Sequence, residues 1–369
     1  MKLYIIAGEA SGDLHASNLM RELSALDGNM EFRCWGGDLM QEQGGVIVKH
    51  YRDLAFMGFF EVLLNLRTIL SNLAFCKKDI LTFQPNAVIL VDYPGFNLKI
   101  AEFLHSQKIP VIYYISPQIW AWKQSRVKII RKVVDKMIVI LPFEKDFYAR
   151  QGMNVEFHGH PLLDALGQNN FSPVFPDEKR PIVALLPGSR KQEIQKVLPE
   201  MAKTALNFPE VQFVIAGVAS HGEDFYHKVA GTNSIPVISG RTYDLLKQAK
   251  AALVTSGTAT LETALIGTPE VVCYKGGNIS YQIAKRVIKV KYISLVNLIM
   301  DRPVVKELIQ NELNPANLTH ELNLILNDAS TWEQINRDYA ELREILGGDG
   351  ASRRAAESIS GFLKREFKK

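Results

Sequence analysis

Residues 3–26 read LYIIAGEASGDLHASNLMRELSAL, and this stretch decides the fold class. The apolar run Leu3–Ala7 predicts a buried strand, and the amphipathic spacing over Ala16–Leu26 predicts a helix. The small-residue turn Gly8–Asp13 joins the two directly. Strand, tight turn and helix in immediate succession are typical of the α/β class with a parallel sheet.

The same alternation continues along the chain. Further buried strands are predicted at Ala87–Val91, Val111–Ile115, Met137–Leu141, Ile182–Leu186, Val211–Ala216, Ile235–Ile238, Ala251–Thr255 and Glu270–Tyr274. Helices are predicted between them, at 61–83, 194–207 and 279–288. After about Pro303 we expect no more strands, and helices at 318–326, 332–345 and 355–367. The pattern predicts two Rossmann-like domains that face a cleft, followed by a helical tail.

The segment Gly167–Arg180 is polar and interrupted by two prolines, which predicts the linker between the domains. We therefore expect an N-terminal domain at 1–166 and a C-terminal domain at 181–346. The tail at 347–369 packs back on the first domain or exchanges between the subunits of a homodimer, and the sequence leaves both arrangements open.

Composition excludes several classes of protein. Of the 369 residues, 47% are hydrophobic, which excludes a disordered chain, and the net charge of +4 is too small for a dedicated nucleic-acid binder. The three cysteines, Cys34, Cys76 and Cys273, form no CxxC pair, which favours a reducing compartment. The uncharged stretch 109–122 is shorter than the roughly 20 residues that span a bilayer, so we expect a cytoplasmic protein.

Three turns after predicted strands are rich in small residues: Gly8–Asp13, Leu185–Arg190 and Thr255–Glu262. Small residues at a helix N-terminus let a phosphate approach the unpaired N–H groups. None of the turns has the GxGxxG or GxxxxGK[ST] pattern. The two in the second half, with Arg190 beside them, predict a diphosphate site; the alternative is that they only join strands to helices.

Asp92 directly follows the apolar run Ala87–Val91 and precedes Tyr93 and Pro94. A carboxylate at the carboxyl end of a parallel strand points towards the expected cleft and could take a proton from a substrate hydroxyl. The alternative is that Asp92 caps the next helix. Glu9 and Asp13 have the same two interpretations, with a cap favoured for Asp13. His158 and His160 are predicted to be structural or hinge residues, because no cluster with metal-ligand spacing surrounds them.

Two segments suggest a surface that meets lipid. Residues 55–64 are strongly apolar, and residues 123–136 hold six basic residues and one acid, a local charge of +5. Trp120 and Trp122 lie just before the basic segment. Apolar and basic side chains together are typical of an interfacial surface, and the alternative for residues 55–64 is an ordinary core helix.

Taken together, these motifs make the chain resemble the lipid-A-disaccharide synthases, bacterial glycosyltransferases of the GT-B type. The matching segments cover nearly the whole chain: AGEASGD at 7–13, FMGFFEVL at 56–63, VDYPGFN at 91–97, YISPQIWAWKQSR at 114–126, LPFEKDFY at 141–148, GHPLLD at 159–164, LLPGSRKQE at 185–193, SGTATLE at 256–262 and KYISLVNLI at 291–299. Val296 departs from the family pattern, which usually has proline there.

The resemblance implies an activity and its partners. The family transfers 2,3-diacylglucosamine from UDP-2,3-diacylglucosamine to 2,3-diacylglucosamine 1-phosphate, with inversion and without a cofactor or an obligatory metal. It implies Asp92 as the catalytic base and a donor site formed by Ser189, Arg190, Gly257, Thr258, Ala259, Glu262, Asn297, Glu307 and Gln310. The acceptor side of the cleft is expected at Gly8, Glu9, Ser11, Gly12 and Asp13.

Because both substrates carry acyl chains, the resemblance also favours peripheral docking on the cytoplasmic face of the inner membrane. The expected lipid contacts are Phe56, Met57, Phe59, Phe60, Trp120, Trp122, Lys123 and Arg126. The remaining alternatives are another UDP-sugar enzyme, namely a cell-wall N-acetylglucosaminyl transferase or a UDP-sugar 2-epimerase, and a non-catalytic nucleotide-sugar-binding protein.

Overall fold

The computed structural model describes residues 1–54, 66–121, 124–277 and 291–367. The chain divides into two compact units. Met1–Gln168 together with Leu346–Lys369 form the N-terminal unit, and Asn169–Ile345 form the C-terminal unit. The N-terminal unit is therefore assembled from the two ends of the sequence.

The N-terminal unit contains a seven-stranded parallel sheet with the order β3-β2-β1-β4-β5-β6-β7. Its strands are β1 (Lys2–Ala7), β2 (Glu31–Gly36), β3 (Val46–His50), β4 (Ala87–Val91), β5 (Val111–Tyr114), β6 (Lys136–Val139) and β7 (Glu156–Phe157). Its helices are α1 (Ala10–Leu26), α2 (Asp38–Glu42), α3 (Leu66–Phe83), α4 (Pro94–Ser106), α5 (Val127–Val133), α6 (Pro142–Arg150), α7 (Leu162–Gly167) and the last helix of the chain, α15 (Ala351–Phe367). Short 3-10 turns lie at Tyr51–Asp53 and Gln124–Arg126.

Both faces of this sheet are covered, which explains its continuous apolar strands. Leu3, Ile5 and Ala7 of β1 belong to a core cluster that includes the buried faces of α1 and α15. Tyr4 and Ile6 point to the opposite face and belong to a second cluster with residues of α3, α4 and α5. Because side chains alternate along a strand, one run of six residues supplies both cores.

The C-terminal unit contains a six-stranded sheet with the order β10-β9-β8-β11-β12-β13. Its strands are β8 (Ile182–Leu186), β9 (Gln212–Gly217), β10 (Val237–Ser239), β11 (Ala251–Thr255), β12 (Glu270–Tyr274) and β13 (Lys306–Ile309). Its described helices are α8 (Lys191–Ala205), α9 (Glu223–Ala230), α10 (Thr242–Gln248), α11 (Thr258–Ile266), α12 (Leu295–Met300), α13 (Pro315–Asn327) and α14 (Ala329–Ile345), with a 3-10 turn at Gln310–Glu312. All of its strand pairs are parallel.

The predicted α/β class with two parallel sheets is confirmed. The expectation that strands stop after Pro303 is wrong, because β13 follows at Lys306–Ile309. The strands β2, β3 and β7 are also additional to the prediction. The predicted helix at 279–288 and the first residues of the helix at 61–83 lie outside the described residues. In the part of the chain that is described, no helix combines the length and the apolar character needed to cross a membrane.

Candidate active site

Gly8 and Asp92 leave the carboxyl ends of two neighbouring strands. β1 and β4 pair in parallel, with Ala7 opposite Val91, so the next residue of each strand lies at the same edge of the sheet. A Cβ atom at Gly8 would lie 2.4 Å from Cγ of Tyr93. Glycine at position 8 thus lets the main chain lie directly against the tyrosine ring that follows Asp92.

The main chain at Asp92 is strained. Asp92 and Tyr93 both have a positive φ, 43° and 48°, a region that non-glycine residues rarely adopt. The carbonyl oxygen of Asp92 accepts hydrogen bonds from Nδ2 of Asn97 at 2.8 Å and from the hydroxyl of Tyr113 at 2.6 Å. The N–H of Asp92 donates to the carbonyl of Ile115 at 3.2 Å. Hydrogen bonds at both the N–H and the carbonyl of Asp92 therefore hold the turn in place.

Asp92 is not the cap of the following helix, since α4 begins after Tyr93 and no side chain caps it. The Asp92 side chain is half-buried. Burial, with a smaller contribution from the negative charge of Glu9, raises the pKa of Asp92 to about 7, against the opposing effect of a hydrogen bond from the N–H of Tyr93. A carboxyl group whose pKa lies near neutrality is suited to remove a proton at neutral pH.

The turn after β1 divides into exposed and buried residues. Glu9 precedes α1, Ser11 is exposed, and Gly12 lies against Ala7, where a Cβ would be 3.2 Å from the alanine methyl. Asp13, predicted to cap its own helix or to line the cleft, does neither: it is buried within α1. Its carboxylate accepts hydrogen bonds from the N–H groups of residues 37, 39 and 40, and so caps α2.

In the C-terminal unit, two small-residue turns lie side by side. β8 and β11 are neighbours, with Leu186 opposite Val254, and each strand runs through a short turn into a helix. The first turn contains Gly188, with a φ of 102°, and exposed Ser189 and Arg190 at the start of α8. In the second turn Gly257 and Thr258 are exposed and Ala259 is half-buried at the start of α11. Two helix N-termini at one edge form a surface suited to a diphosphate.

Other side chains define the surroundings of these turns. The Arg190 guanidinium donates to Glu193 at 3.0 Å. Glu262, on α11, accepts a 2.8 Å hydrogen bond from the hydroxyl of Tyr243, and burial raises the pKa of this carboxyl. His221, which the sequence analysis missed, lies within 3.1 Å of the Ser189 carbonyl through Nε2. The sequence could have indicated His221 because it lies in the loop that follows β9, and β9 is the neighbour of β8 in the sheet.

Asn297 and Glu307 contact each other at 2.9 Å, as part of an internal network. Glu307 also accepts from the N–H groups of residues 293 and 294, and the side-chain oxygen Oδ1 of Asn297 accepts from those of residues 304 and 305. Asn297 is 1% exposed, so it is not a direct ligand contact but joins the loop before α12 to β13. Gln310 lies just after β13, and no described residue accepts from its buried Nε2.

Most of the expected lipid contacts, namely Phe56, Met57, Phe59, Phe60, Trp122 and Lys123, lie outside the described residues. Trp120 is half-buried against Phe143, with ring centroids 4.9 Å apart. Lys136 does not contribute to the basic surface, because it is buried and forms a 2.6 Å ion pair with Glu156. Within the described part of the segment, 124–136, the exposed basic residues are Lys128, Arg131 and Lys132, and Arg126 is half-buried.

His160 is buried, and its ring Nδ1 accepts from the N–H of Leu162. Its ring lies edge-on to that of His15, with centroids 6.3 Å apart, and burial lowers the pKa of both imidazoles. Across the described ranges, no group of three or more His, Cys, Asp and Glu side chains could hold a metal ion. The three cysteines are buried and unbridged.

Comparison with known sequences identifies the family. A family model for lipid-A-disaccharide synthetase matches residues 3–360. The lipid-A-disaccharide synthase of Trichlorobacter lovleyi is 39% identical over 375 residues, covering 99% of this chain and 98% of the relative. That of Syntrophus aciditrophicus is 40% identical over 373 residues, covering 98% of this chain and 97% of the relative.

Comparison with solved structures identifies the fold. The UDP-GlcNAc 2-epimerase of Neisseria meningitidis bound to UDP-GlcNAc superposes with a TM-score of 0.69 at 13% identity, covering 98% of this chain and 100% of that one. The calicheamicin glycosyltransferase CalG4 superposes with a TM-score of 0.62 at 17% identity, covering 99% of each chain. These distant likenesses establish the fold, and the sequence matches decide between the enzymes that share it. The chain belongs to the lipid-A-disaccharide synthetase family and is a glycosyltransferase of lipid A biosynthesis with the GT-B fold.

Proposed function

We propose that this enzyme transfers 2,3-diacylglucosamine from UDP-2,3-diacylglucosamine to 2,3-diacylglucosamine 1-phosphate, with Asp92 as the general base. The Asp92 carboxylate removes the proton of the acceptor 6-hydroxyl as this oxygen attacks the donor anomeric carbon. The new C1–O6 bond forms while the bond from C1 to the UDP oxygen breaks, and UDP leaves with the electron pair. A single displacement inverts the anomeric centre and gives the β(1→6) disaccharide 1-phosphate.

The observation that carries this assignment is the state of the Asp92 carboxyl. It is half-buried at the carboxyl end of β4, on a strained turn, with a pKa of about 7. Strained backbone persists where the surrounding structure over-determines it, and it clusters at functional sites. Asn97 and Tyr113 act on the Asp92 carbonyl and are therefore positioning residues in this proposal.

On the donor side we assign the diphosphate of UDP to the two turns of the C-terminal unit. Ser189 and Arg190 supply hydrogen-bond donors at the first turn, and the N–H groups of Gly257, Thr258 and Ala259 supply them at the second. Glu262 accepts from the ribose hydroxyls, with Tyr243 holding its carboxyl. Glu307 and Gln310 lie on the nucleotide-sugar side, and Asn297 supports them from within the protein.

The decisive experiment follows UDP release and disaccharide formation from the purified protein. With both diacyl substrates, we expect stoichiometric UDP and disaccharide 1-phosphate, and with the donor alone no UDP. Conversion of the donor to its 2-epimer would instead support the epimerase alternative. Binding of the donor without any turnover would identify a non-catalytic binding protein.

The acylated substrates also require access to a membrane, and we propose a docking surface on the N-terminal unit. Helices α3, α4 and α5 cover one face of the sheet. On their outer side α3 exposes Leu70, Phe75 and Leu81, and α5 exposes the basic residues Lys128, Arg131 and Lys132. A surface that carries both apolar side chains and cations suits a peripheral contact with anionic lipid, here the cytoplasmic face of the inner membrane.

Co-sedimentation with phosphatidylglycerol vesicles at rising salt tests the docking surface. We expect binding that weakens with salt and that falls strongly in the variant Leu70→Ser/Phe75→Ser. Leu26→Ser, a substitution of a similarly exposed leucine at the end of α1, is the matched control. Equal binding by the two variants would remove α3 from the contact.

We further propose that the protein forms a homodimer, in which α15 either packs on its own chain or exchanges between the subunits. In the structure α15 packs on its own chain, with Ala355, Ile359 and Leu363 buried against α1. The glycine-rich hinge at 347–350 precedes α15, and three of its residues have a positive φ. Sedimentation velocity over a range of concentrations gives the oligomeric state. A disulfide engineered between α1 and α15 then distinguishes exchange from packing within one chain by the mass of the cross-linked product.

A further inference from the structure

A cavity lies in the C-terminal unit, away from the turns to which the diphosphate is assigned. Its volume is about 520 Å³. It is lined by Glu270, the first residue of β12, and by Lys306, the first residue of β13. The cavity therefore lies at the amino ends of these parallel strands, whereas the turns of the donor site follow the carboxyl ends of β8 and β11.

Glu270 is the notable group in this cavity. The residue is 1% exposed, and no described residue donates a hydrogen bond to either of its carboxyl oxygens. A buried carboxylate without a partner is costly, because the lost hydration is not replaced. Burial accordingly raises the pKa of Glu270 well above its usual range.

The other charged side chains that line the cavity are already paired. Asp338 accepts from Arg302 at 2.6 Å, Lys306 lies 3.7 Å from Glu321, and Arg337 lies 3.8 Å from Glu333. Glu270 is thus the one lining charge without an ion-pair partner among the residues that the structure describes. With no counter-charge in place, the raised pKa favours the protonated carboxyl, and a cation that enters the cavity would favour its ionised form.

The other residues that line the cavity indicate what kind of ligand it would hold. The walls include the apolar side chains of Val304, Leu324 and Ile335. The ionised carboxylate of Glu270 offers two acceptor oxygens, which a primary ammonium group can contact with two of its three donors.

We propose that this cavity binds a primary amine on a short aliphatic chain, with its ammonium group on Glu270 and its chain along the apolar wall. The ammonium group supplies the missing counter-charge, and the aliphatic part buries apolar surface. A guanidinium group carries five donors in a planar fork, more than these acceptors satisfy.

Isothermal titration with n-butylamine tests the proposal. We expect butylamine to bind, and 1-butanol and tetramethylammonium chloride not to bind, since the first lacks the charge and the second lacks N–H donors. Glu270→Gln should weaken butylamine binding by about 10- to 100-fold, because one hydrogen-bonded charge is lost. Glu321→Gln, which removes a paired carboxylate of the same cavity, is the matched control and should change the affinity by less than about threefold.

Leu324→Trp provides a second test that leaves Glu270 in place, since a larger side chain on the wall should block the cavity and abolish binding. Circular dichroism and donor binding verify that each variant is folded. Failure of the wild type to bind butylamine would overturn the proposal. So would equal affinity of the wild type and Glu270→Gln, which would leave Glu270 as a protonated structural group.

Discussion

The side-chain amide of Asn97 donates a 2.8 Å hydrogen bond to the main-chain carbonyl of Asp92, five residues earlier in the chain. The same Nδ2 lies 3.2 Å from the carbonyl of Val91, the last residue of β4. One buried amide therefore joins the end of the strand to the strained turn that follows it. The orientation of the Asp92 side chain depends on this contact.

Replacing Asn97 by Ala should lower kcat while leaving KM for the donor nearly unchanged, because the change affects the position of the base and not the donor site. We expect a fall of about 10- to 100-fold in kcat, together with a loss of about 1–3 kcal/mol in the free energy of unfolding. Steady-state kinetics and urea denaturation measure the two effects. Tyr113→Phe, which removes the other donor to the same carbonyl, should act in the same direction, and a normal kcat in both variants would contradict the positioning role.

Asp92→Asn should abolish most of the turnover and preserve donor binding. The amide keeps the shape of the side chain but cannot accept the proton of the acceptor hydroxyl, so we expect kcat to fall by about 10²- to 10⁴-fold. UDP release measures kcat, and titration with UDP measures the integrity of the donor site. Turnover close to that of the wild type would exclude Asp92 as the base.

The activity should depend on pH through the same group. With a pKa of about 7, Asp92 is protonated and inactive as a base below that pH, so kcat/KM should fall about tenfold per pH unit on the acid side. Glu9→Gln removes a nearby negative charge that raises this pKa, and the acid limb should therefore move to lower pH. Glu22→Gln, near the far end of the helix that Glu9 precedes, is the control. If the acid limb does not move in Glu9→Gln, the group that titrates there is not Asp92.

Gly8→Ala should disturb the turn at Asp92 through Tyr93. The added methyl group would lie 2.4 Å from the tyrosine ring, which is stacked on Phe96 with centroids 5.5 Å apart and cannot easily move. We expect a loss of about 1–3 kcal/mol in unfolding free energy and a clear fall in kcat. The control is Gly95→Ala in the first turn of α4, where an added methyl meets no atom within 4 Å. Equal stability and turnover in the two variants would contradict the close approach at Gly8.

Asp164→Ala should loosen the last helix. The Asp164 carboxylate accepts from the N–H groups of Gly350 at 2.6 Å and Ser352 at 2.7 Å, and so caps the N-terminus of α15. Loss of such a cap costs about 0.5–2 kcal/mol, measurable as unfolding free energy in urea. Hydrogen exchange across 351–367 should become faster, while Asp349→Ala, at an exposed neighbouring residue, should leave it unchanged. Unaltered exchange in Asp164→Ala would show that packing alone holds the helix.

The sequence predicts the central strands well and the edge strands poorly, for a physical reason. A central strand such as β4 is covered on both faces and is uniformly apolar, so its pattern is unambiguous. β3 and β13 lie at sheet edges and are only partly buried, and β13 contains just one fully buried residue. In β2, Glu31 and Arg33 interrupt the apolar pattern. A partly buried strand does not need a continuous run of apolar residues, and that run is the pattern from which strands are predicted.

The sequence likewise predicts some residues of the candidate site and does not predict others. Asp92 and the small-residue turns can be proposed from the sequence because each directly follows a recognisable strand. Tyr113 and His221 were missed because their roles depend on contacts with Asp92 and Ser189, 21 and 32 residues away along the chain. Asp13 and Asn297 were placed at the site by their motifs, yet their polar atoms are used within the protein. Position after a strand can be seen in a sequence, whereas the partner of a side chain is set by the fold.

The division of the N-terminal unit between the two ends of the chain has a consequence for biosynthesis. α15 leaves the ribosome only after all of residues 169–345 have been made, yet it covers the apolar side of α1 and β1. Throughout translation of the C-terminal unit, the nascent first unit therefore exposes the surface that α15 later buries. An exposed apolar surface of this kind is what chaperones bind, so the growing chain should need protection until residues 351–367 emerge.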